Sequence, residues 1–134
     1  MKIIIVGDGK MGFALSQNLS DEGHDIVMID ENPDALRLSS NTQDVGCICG
    51  NGVDIDVQKE AGVAGADLMI AVTSRDEVNI ICCLLAKKLG ARHTIARVRG
   101  PEYIKSTLLM REELGLSLSV NPEMAAAAEI SRIL

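Results

Sequence analysis

Six residues near the start of the chain, Gly7-Asp8-Gly9-Lys10-Met11-Gly12, place three glycines at the spacing GxGxxG. They follow a β-branched run, Lys2–Val6, and open a helical pattern. In that setting each glycine has a separate task. Gly7 permits the tight turn, Gly9 lets the backbone approach a pyrophosphate, and Gly12 lets the helix pack close to the strand. The unpaired N–H groups at the helix start then suit phosphate oxygens. Asp30 follows Gly12 by 18 residues, at the end of the next hydrophobic run. A carboxylate there accepts hydrogen bonds from a ribose diol. Glu31 comes next, and no arginine appears before Arg37. A 2′-phosphate would meet two carboxylates and no cation, which disfavours NADP against NAD, ATP or ADP.

Two residues of the turn carry charge. Asp8 would repel a pyrophosphate unless its side chain turns away to solvent. Lys10 can meet the phosphates as a point charge, or it is a solvated first-turn lysine, since cations are disfavoured at a helix N-terminus. Three later loops are expected at the same sheet edge. Gly50-Asn51-Gly52 follows the third strand, and Asn51 either reads an adenine edge or serves as a turn residue. Thr73 and Ser74 end the fourth strand and can face the nucleotide. Ser74 with Glu77 also reads as a capping box, which explains both residues structurally. Arg97 and Arg99 end the fifth strand, two apart and so on one face. Paired guanidiniums suit a phosphate or a carboxylate, or else they pair with surface acids.

The elements that must position these residues alternate along the whole chain. Strands are expected at Lys2–Val6, Asp25–Asp30, Asp44–Cys49, Asp67–Thr73, Thr94–Val98 and Ser117–Val120. Helices are expected at Lys10–Glu22, from Pro33 behind an Asn32 cap, at Asp54–Ala61, Ser74–Leu89 and Pro101–Glu113, and from Pro122 onward. Strand–helix alternation means βαβ units and a parallel sheet in an α/β fold. The last helix has no stop signal before Leu134, as though the chain continued.

The 134 residues are one domain's worth, 47% hydrophobic and 24% charged, so a packed core rather than a disordered tail is expected. One Phe, one Tyr and no Trp all but exclude a binder that stacks bases on aromatics, and a net charge of −6 argues against a phosphate-backbone binder. No nucleic acid partner is therefore expected. No apolar run approaches the ~18 residues that cross a bilayer, and no signal peptide precedes the glycine turn. A cytoplasmic protein without direct membrane insertion is the expectation. Cys47, Cys49, Cys82 and Cys83 lack CxxC spacing and read as buried reduced thiols rather than a metal site. His24 and His93 are isolated, and no GxSxG, HExxH or P-loop is present. A dehydrogenase would need a group to move a proton beside the nicotinamide. None is evident, so catalytic residues are expected to be absent.

Gly7 to Gly12, Asp30, the run Ala71-Val72-Thr73-Ser74-Arg75-Asp76-Glu77-Val78-Asn79, and the run Ile95-Ala96-Arg97-Val98-Arg99-Gly100-Pro101-Glu102-Tyr103 together resemble the N-terminal domain of Trk/Ktr-type potassium-uptake regulators, the RCK or KTN domain. The resemblance covers the whole chain. It implies a Rossmann-type doubly wound sheet of strand order 3-2-1-4-5-6 over residues 1–120, and a crossover or dimerisation helix over residues 121–134. It implies a homodimer, often built into a larger ring, seated on the cytoplasmic side of a potassium-translocating membrane subunit. Carried over by motif, ligand contacts fall on Gly7, Asp8, Gly9, Lys10, Met11, Asp30, Thr73, Ser74 and Arg97, with Asn51 at the adenine-side position. Lys10 stands where some members have an arginine that reaches a terminal phosphate. NAD(H) leads as ligand, with ATP, ADP or AMP as the alternative. In the last helix, Ala125–Ala128 offer smooth faces and Ile130, Ile133 and Leu134 an apolar stripe. It packs either on its own sheet or, as the resemblance implies, on a partner subunit. Two other functions fit the residues: the same domain gating a potassium channel or cation/proton exchanger, or the cofactor-binding half of an NAD-dependent dehydrogenase.

Overall fold

The computed structural model describes residues 1–115 and 117–133. Six parallel strands form one sheet in the order β3-β2-β1-β4-β5-β6. They are β1 (Lys2–Val6), β2 (Asp25–Asp30), β3 (Gly46–Cys49), β4 (Leu68–Ala71), β5 (His93–Arg97) and β6 (Ser117–Ser119). Helices α1 (Lys10–Asp21), α2 (Pro33–Thr42), α3 (Ile55–Ala61), α4 (Asp76–Leu89), α5 (Pro101–Leu109), α6 (Arg111–Leu114) and α7 (Pro122–Ile133) make the crossovers and the end. The expected strand order is the observed one.

The alternation within β1 explains the two layers. Ile3 and Ile5 face one core, and Ile4 and Val6 face the other, all nearly inaccessible. Successive strand residues point to opposite faces, so a strand covered on both sides reads as a continuous apolar run. The first core joins the sheet to Leu15 and Leu19 of α1, Leu36 of α2, and Ala126 and Ile130 of α7. The second joins it to Cys82, Cys83 and Ala86 of α4, with α3 and α5 beside it. The last helix thus packs on its own sheet through Ala126 and Ile130. Leu134 of the expected stripe lies outside the described residues.

Several boundaries differ from the sequence reading. Expected β3 and β4 are trimmed to Gly46–Cys49 and Leu68–Ala71, because only those residues meet neighbours in register. A 3-10 turn, Val63–Gly65, precedes β4. The expected helix 101–113 is two, broken at Met110. Helix α4 starts at Asp76 rather than Ser74.

The chain steps outward from β1 to β3, then returns to β4 on β1's other side. The loops after β1 and β4 therefore leave toward opposite faces and open a crevice at the strands' C-terminal edge, where open α/β sheets hold ligands.

Candidate functional site

Gly7 leaves β1 at φ +104°, a conformation that favours glycine. Its N–H donates to the Ile29 carbonyl at 2.8 Å, which locks the turn to β2. A Cβ on Gly12 would lie 1.7 Å from the Gly7 carbonyl oxygen, so helix and turn touch backbone to backbone. Gly9 is different. A Cβ there would meet nothing within 4 Å, so open space lies in front of it. Gly9 is also the N-cap of α1, with no side chain capping the helix and no acid in its first turn. The first-turn N–H groups are left for an external acceptor, the arrangement that binds phosphate.

A cleft of about 520 Å³ runs along this edge. Gly7 and Gly9 form one wall, Asp30 and Glu31 the side toward β2, Gly50–Val53 the far end, and Thr73 to Arg75 the wall toward β4. A second recess of about 490 Å³ shares Gly9, Val72 and Ser74 and continues toward Lys10, Met11, Arg97 and Arg99. Most of the sequence-predicted residues therefore converge, split between two connected chambers. Asp8 and Gly12 line neither. Gly12 acts through packing alone.

Asp30 is already oriented. Its Oδ2 accepts from the Asp8 N–H at 2.7 Å and its Oδ1 from the Asn32 N–H at 2.8 Å. Each carboxylate oxygen has a further lone pair for a diol. Arg37, the first arginine after Asp30, pairs with Asp34 at 2.9 Å on the surface and lines neither chamber.

Asp8 does turn away from the phosphate side, but inward rather than to solvent. It is 4% exposed. Its Oδ2 accepts from the Ser39 hydroxyl at 2.6 Å, and its buried Oδ1 has no partner among the described residues. Burial pushes its pKa up, the Ser39 bond lowers it, and the nearby Asp30 raises it again. An acid whose native pKa is raised is stabilised by its proton. Its contribution is present at low pH and is lost as pH rises through the native titration. The Asp8→Asn variant is therefore expected to be more stable than wild type at neutral pH, with the difference shrinking toward about pH 4. Urea unfolding across that range checks this. A variant less stable than wild type at pH 7 contradicts it.

The β4–α4 corner is built by Asn79, fully buried on α4. Its Oδ1 accepts from the Thr73 N–H at 2.8 Å and the Thr73 hydroxyl at 2.7 Å. Its Nδ2 donates to the carbonyls of Thr73 at 3.1 Å and Arg97 at 2.9 Å. One amide thus ties together the ends of β4 and β5. The expected capping box is absent: Arg75 is the N-cap of α4, and no side chain caps the N–H groups of the helix start. Glu77 instead takes the Arg75 guanidinium at 2.7 Å. The neighbouring Asp76 accepts from the N–H groups of Arg99 and Gly100 at 3.1 and 2.6 Å.

Arg97 and Arg99 come together in the second chamber. Burial disfavours the Arg97 charge, the Arg99 guanidinium disfavours it further, and the Asp76 carboxylate offsets part of this. The buried Arg97 Nε has no partner among the described residues. Two cations side by side with an orphaned donor are the environment an anion relieves, so the residues present fit a phosphorylated ligand. Glu123 of α7 also lines this chamber. It was invisible to the sequence reading, because only the packing of α7 on β5 brings it there.

The cysteine expectation holds in part. Cys82 and Cys83 are fully buried, and burial pushes the Cys82 thiol up to about 12. Cys49 is exposed and Cys47 half-buried, because they sit on the edge strand β3. His93, isolated in sequence, meets Glu129 of α7 with Nδ1 2.9 Å from Oε1. Among the described residues no group of three or more His, Cys, Asp or Glu could hold a metal, and no helix is long and apolar enough to cross a membrane.

A family model, the TrkA-N domain, matches residues 3–122. The chain belongs to the TrkA-N domain family. A curated relative, the Trk system potassium uptake protein TrkA homolog of Archaeoglobus fulgidus, is 36% identical over 134 residues, all of this chain and 30% of that protein. The chain thus spans about a third of that relative's length. The TrkA-N domain of the Escherichia coli inner membrane protein ybaL superposes with a TM-score of 0.78 at 18% identity, over 99% of this chain and 96% of that one. This likeness concerns the fold. A structure described as GsuK bound to ADP superposes with a TM-score of 0.70 at 27% identity, over 87% of this chain and 30% of that one.

Proposed function

We propose that this domain is the nucleotide-binding, non-enzymatic regulatory part of a potassium uptake system. The observation that carries the reading is the two-chamber cleft. Open N–H groups at Gly9 and the start of α1 stand between a pre-oriented Asp30 carboxylate and the Arg97–Arg99 pair with its orphaned Nε. Phosphates lie at Gly9, Lys10 and Met11, the ribose diol at Asp30 and Glu31, and the base toward Asn51. Thr73 and Ser74 form the opposite wall, and Arg97 meets the outer phosphate. NAD(H) is the leading ligand and ATP, ADP or AMP the alternative. A similar structure described as GsuK bound to ADP supports an adenine nucleotide as ligand. The names of the curated relatives support potassium uptake as the setting.

The domain works as a homodimer, in a ring in the larger assembly, on the cytoplasmic face of a potassium-translocating membrane subunit, with the exposed side of 121–134, opposite Ala126 and Ile130, as the dimerisation surface. Glu123 places that segment in the ligand's outer chamber, so a change in the ligand's charge reaches the helix directly. Regulation requires different affinities of a ligand for two assembly geometries, since equal binding shifts nothing.

Small-angle scattering of the full-length protein with NAD against NADH, and with ATP against ADP, tests this. At least one pair is expected to give two distinct shapes and two levels of potassium uptake. One shape and one uptake level for all four ligands contradicts the regulatory role.

A further inference from the structure

Gln58 is an amide in an apolar place. It sits on the inner side of α3, 1% exposed, against Cys82 of α4. Its Oε1 is buried and has no hydrogen-bond partner among the described residues. Burying an amide and leaving its oxygen unpaired is unfavourable, and an aliphatic side chain avoids that cost. What the amide gains lies at its other end. Nε2 donates to the Gly52 carbonyl at 2.7 Å and to the Cys82 carbonyl at 3.0 Å.

The Gly52 carbonyl belongs to the peptide unit shared with Val53, and a peptide unit is planar. Fixing its oxygen toward Gln58 directs its N–H the opposite way. That N–H, of Val53, donates to Asn51 Oδ1 at 3.1 Å. Of the two ends of an amide only the oxygen can accept a backbone N–H, so the Asn51 amide has one orientation: oxygen engaged, and Nδ2 a donor with no partner among the described residues. Asn51 lines the far end of the cleft. The loop has little room to settle elsewhere. A Cβ on Gly52 would lie 2.4 Å from Val6 Cγ1 and 3.0 Å from Cys82 Sγ, and Gly50 donates to the Asp30 carbonyl at 2.9 Å.

We infer that Gln58 is a positioning residue for base selectivity, which sets Asn51 as a hydrogen-bond donor to the purine through the Gly52–Val53 peptide. The inference rests on the nucleotide-binding reading of this cleft. A donor at that point suits adenine N1, which accepts, and opposes guanine N1–H, which donates. Selectivity at this end must come from such edges, because no aromatic side chain lines the cleft. Gln58 hydrogen-bonds the Gly52 end of this site and lines neither chamber. Its effect therefore falls on the base and spares the phosphates.

The test is calorimetric titration of the protein with AMP, GMP and inorganic pyrophosphate, in wild type, Gln58→Met and Gln58→Leu. Either substitution removes both donors and suits a buried helix position, so one stands in if the other fails to fold, as judged by circular dichroism and thermal unfolding. The folded variant is expected to bind AMP about tenfold more weakly, the scale of one lost hydrogen bond. Its AMP-to-GMP preference is expected to fall toward unity, with pyrophosphate affinity within about twofold of wild type. An unchanged AMP-to-GMP ratio, or pyrophosphate binding that falls in step with AMP, overturns the role of Gln58 while leaving nucleotide binding intact. Wild type without a preference for AMP over GMP likewise overturns the role of Gln58, and the nucleotide-binding reading is then judged separately by titration with NADH and ATP.

Discussion

The Gly12→Ala variant is expected to lose nucleotide binding and about 3 kcal/mol of stability, the upper range for forcing a methyl into a filled space. The new Cβ would sit 1.7 Å from the Gly7 oxygen and 2.8 Å from the Gly7 carbonyl carbon. Both are backbone atoms of the turn itself, so no rotamer change relieves the clash. Either α1 moves off the sheet, which opens the core at Leu15 and Leu19, or the Gly7 turn deforms and its N–H leaves Ile29. Each route misaligns the helix N-terminus with the phosphates. Gly9→Ala provides the contrast. Its Cβ meets no protein atom within 4 Å, so stability is expected to hold while affinity falls, because the methyl enters the space a phosphate needs. Urea unfolding and ligand titration on both variants check the pair. A Gly12→Ala protein with wild-type stability and affinity contradicts the account of this turn.

The Asn79→Ala variant is expected to be about 3 kcal/mol less stable and to bind nucleotide at least tenfold more weakly, on the scale of 1–3 kcal/mol for each buried polar group left unpaired. The substitution strips partners from the Thr73 N–H and hydroxyl and from the carbonyls of Thr73 and Arg97. Asn79→Asp is no remedy at neutral pH. It keeps the acceptor but sets a buried carboxylate against two carbonyl oxygens. Chemical denaturation measures the first effect, and titration of whichever variant folds measures the second. Wild-type stability in Asn79→Ala would show that the two strand ends are held by something else.

Much of the frame was legible in the sequence for a simple reason. A strand buried on both faces reads as a continuous apolar run, and each run here except that of β4 is followed within three residues by glycine, asparagine or proline. The parallel sheet, the glycine turn and the place of Asp30 follow from that pattern. The failures occur where tertiary contacts decide. Asp8 looked solvent-bound because Ser39, 31 residues away, is needed to receive it. Ser74 and Glu77 have the spacing of a capping box, but the Thr73–Asn79 bonds draw the chain straight past Ser74 and start the helix later. Gln58 and Asn79 are polar letters in helical segments, and nothing local distinguishes a buried amide that pins a loop from a solvated one. Glu123 enters the cleft only because α7 lies against β5.

The central claim is that this cleft binds a nucleotide through its ribose diol and phosphates. Calorimetric titration of NADH, NAD, ATP, ADP, AMP and NADP into wild type and Asp30→Ala tests it most directly. The account predicts one site per chain for NAD(H) or an adenine nucleotide, weaker binding of NADP than of NAD, and at least tenfold loss in Asp30→Ala, on the scale of lost hydrogen bonds to a charged group. No binding of any of the six, or affinity unchanged by Asp30→Ala, would contradict it.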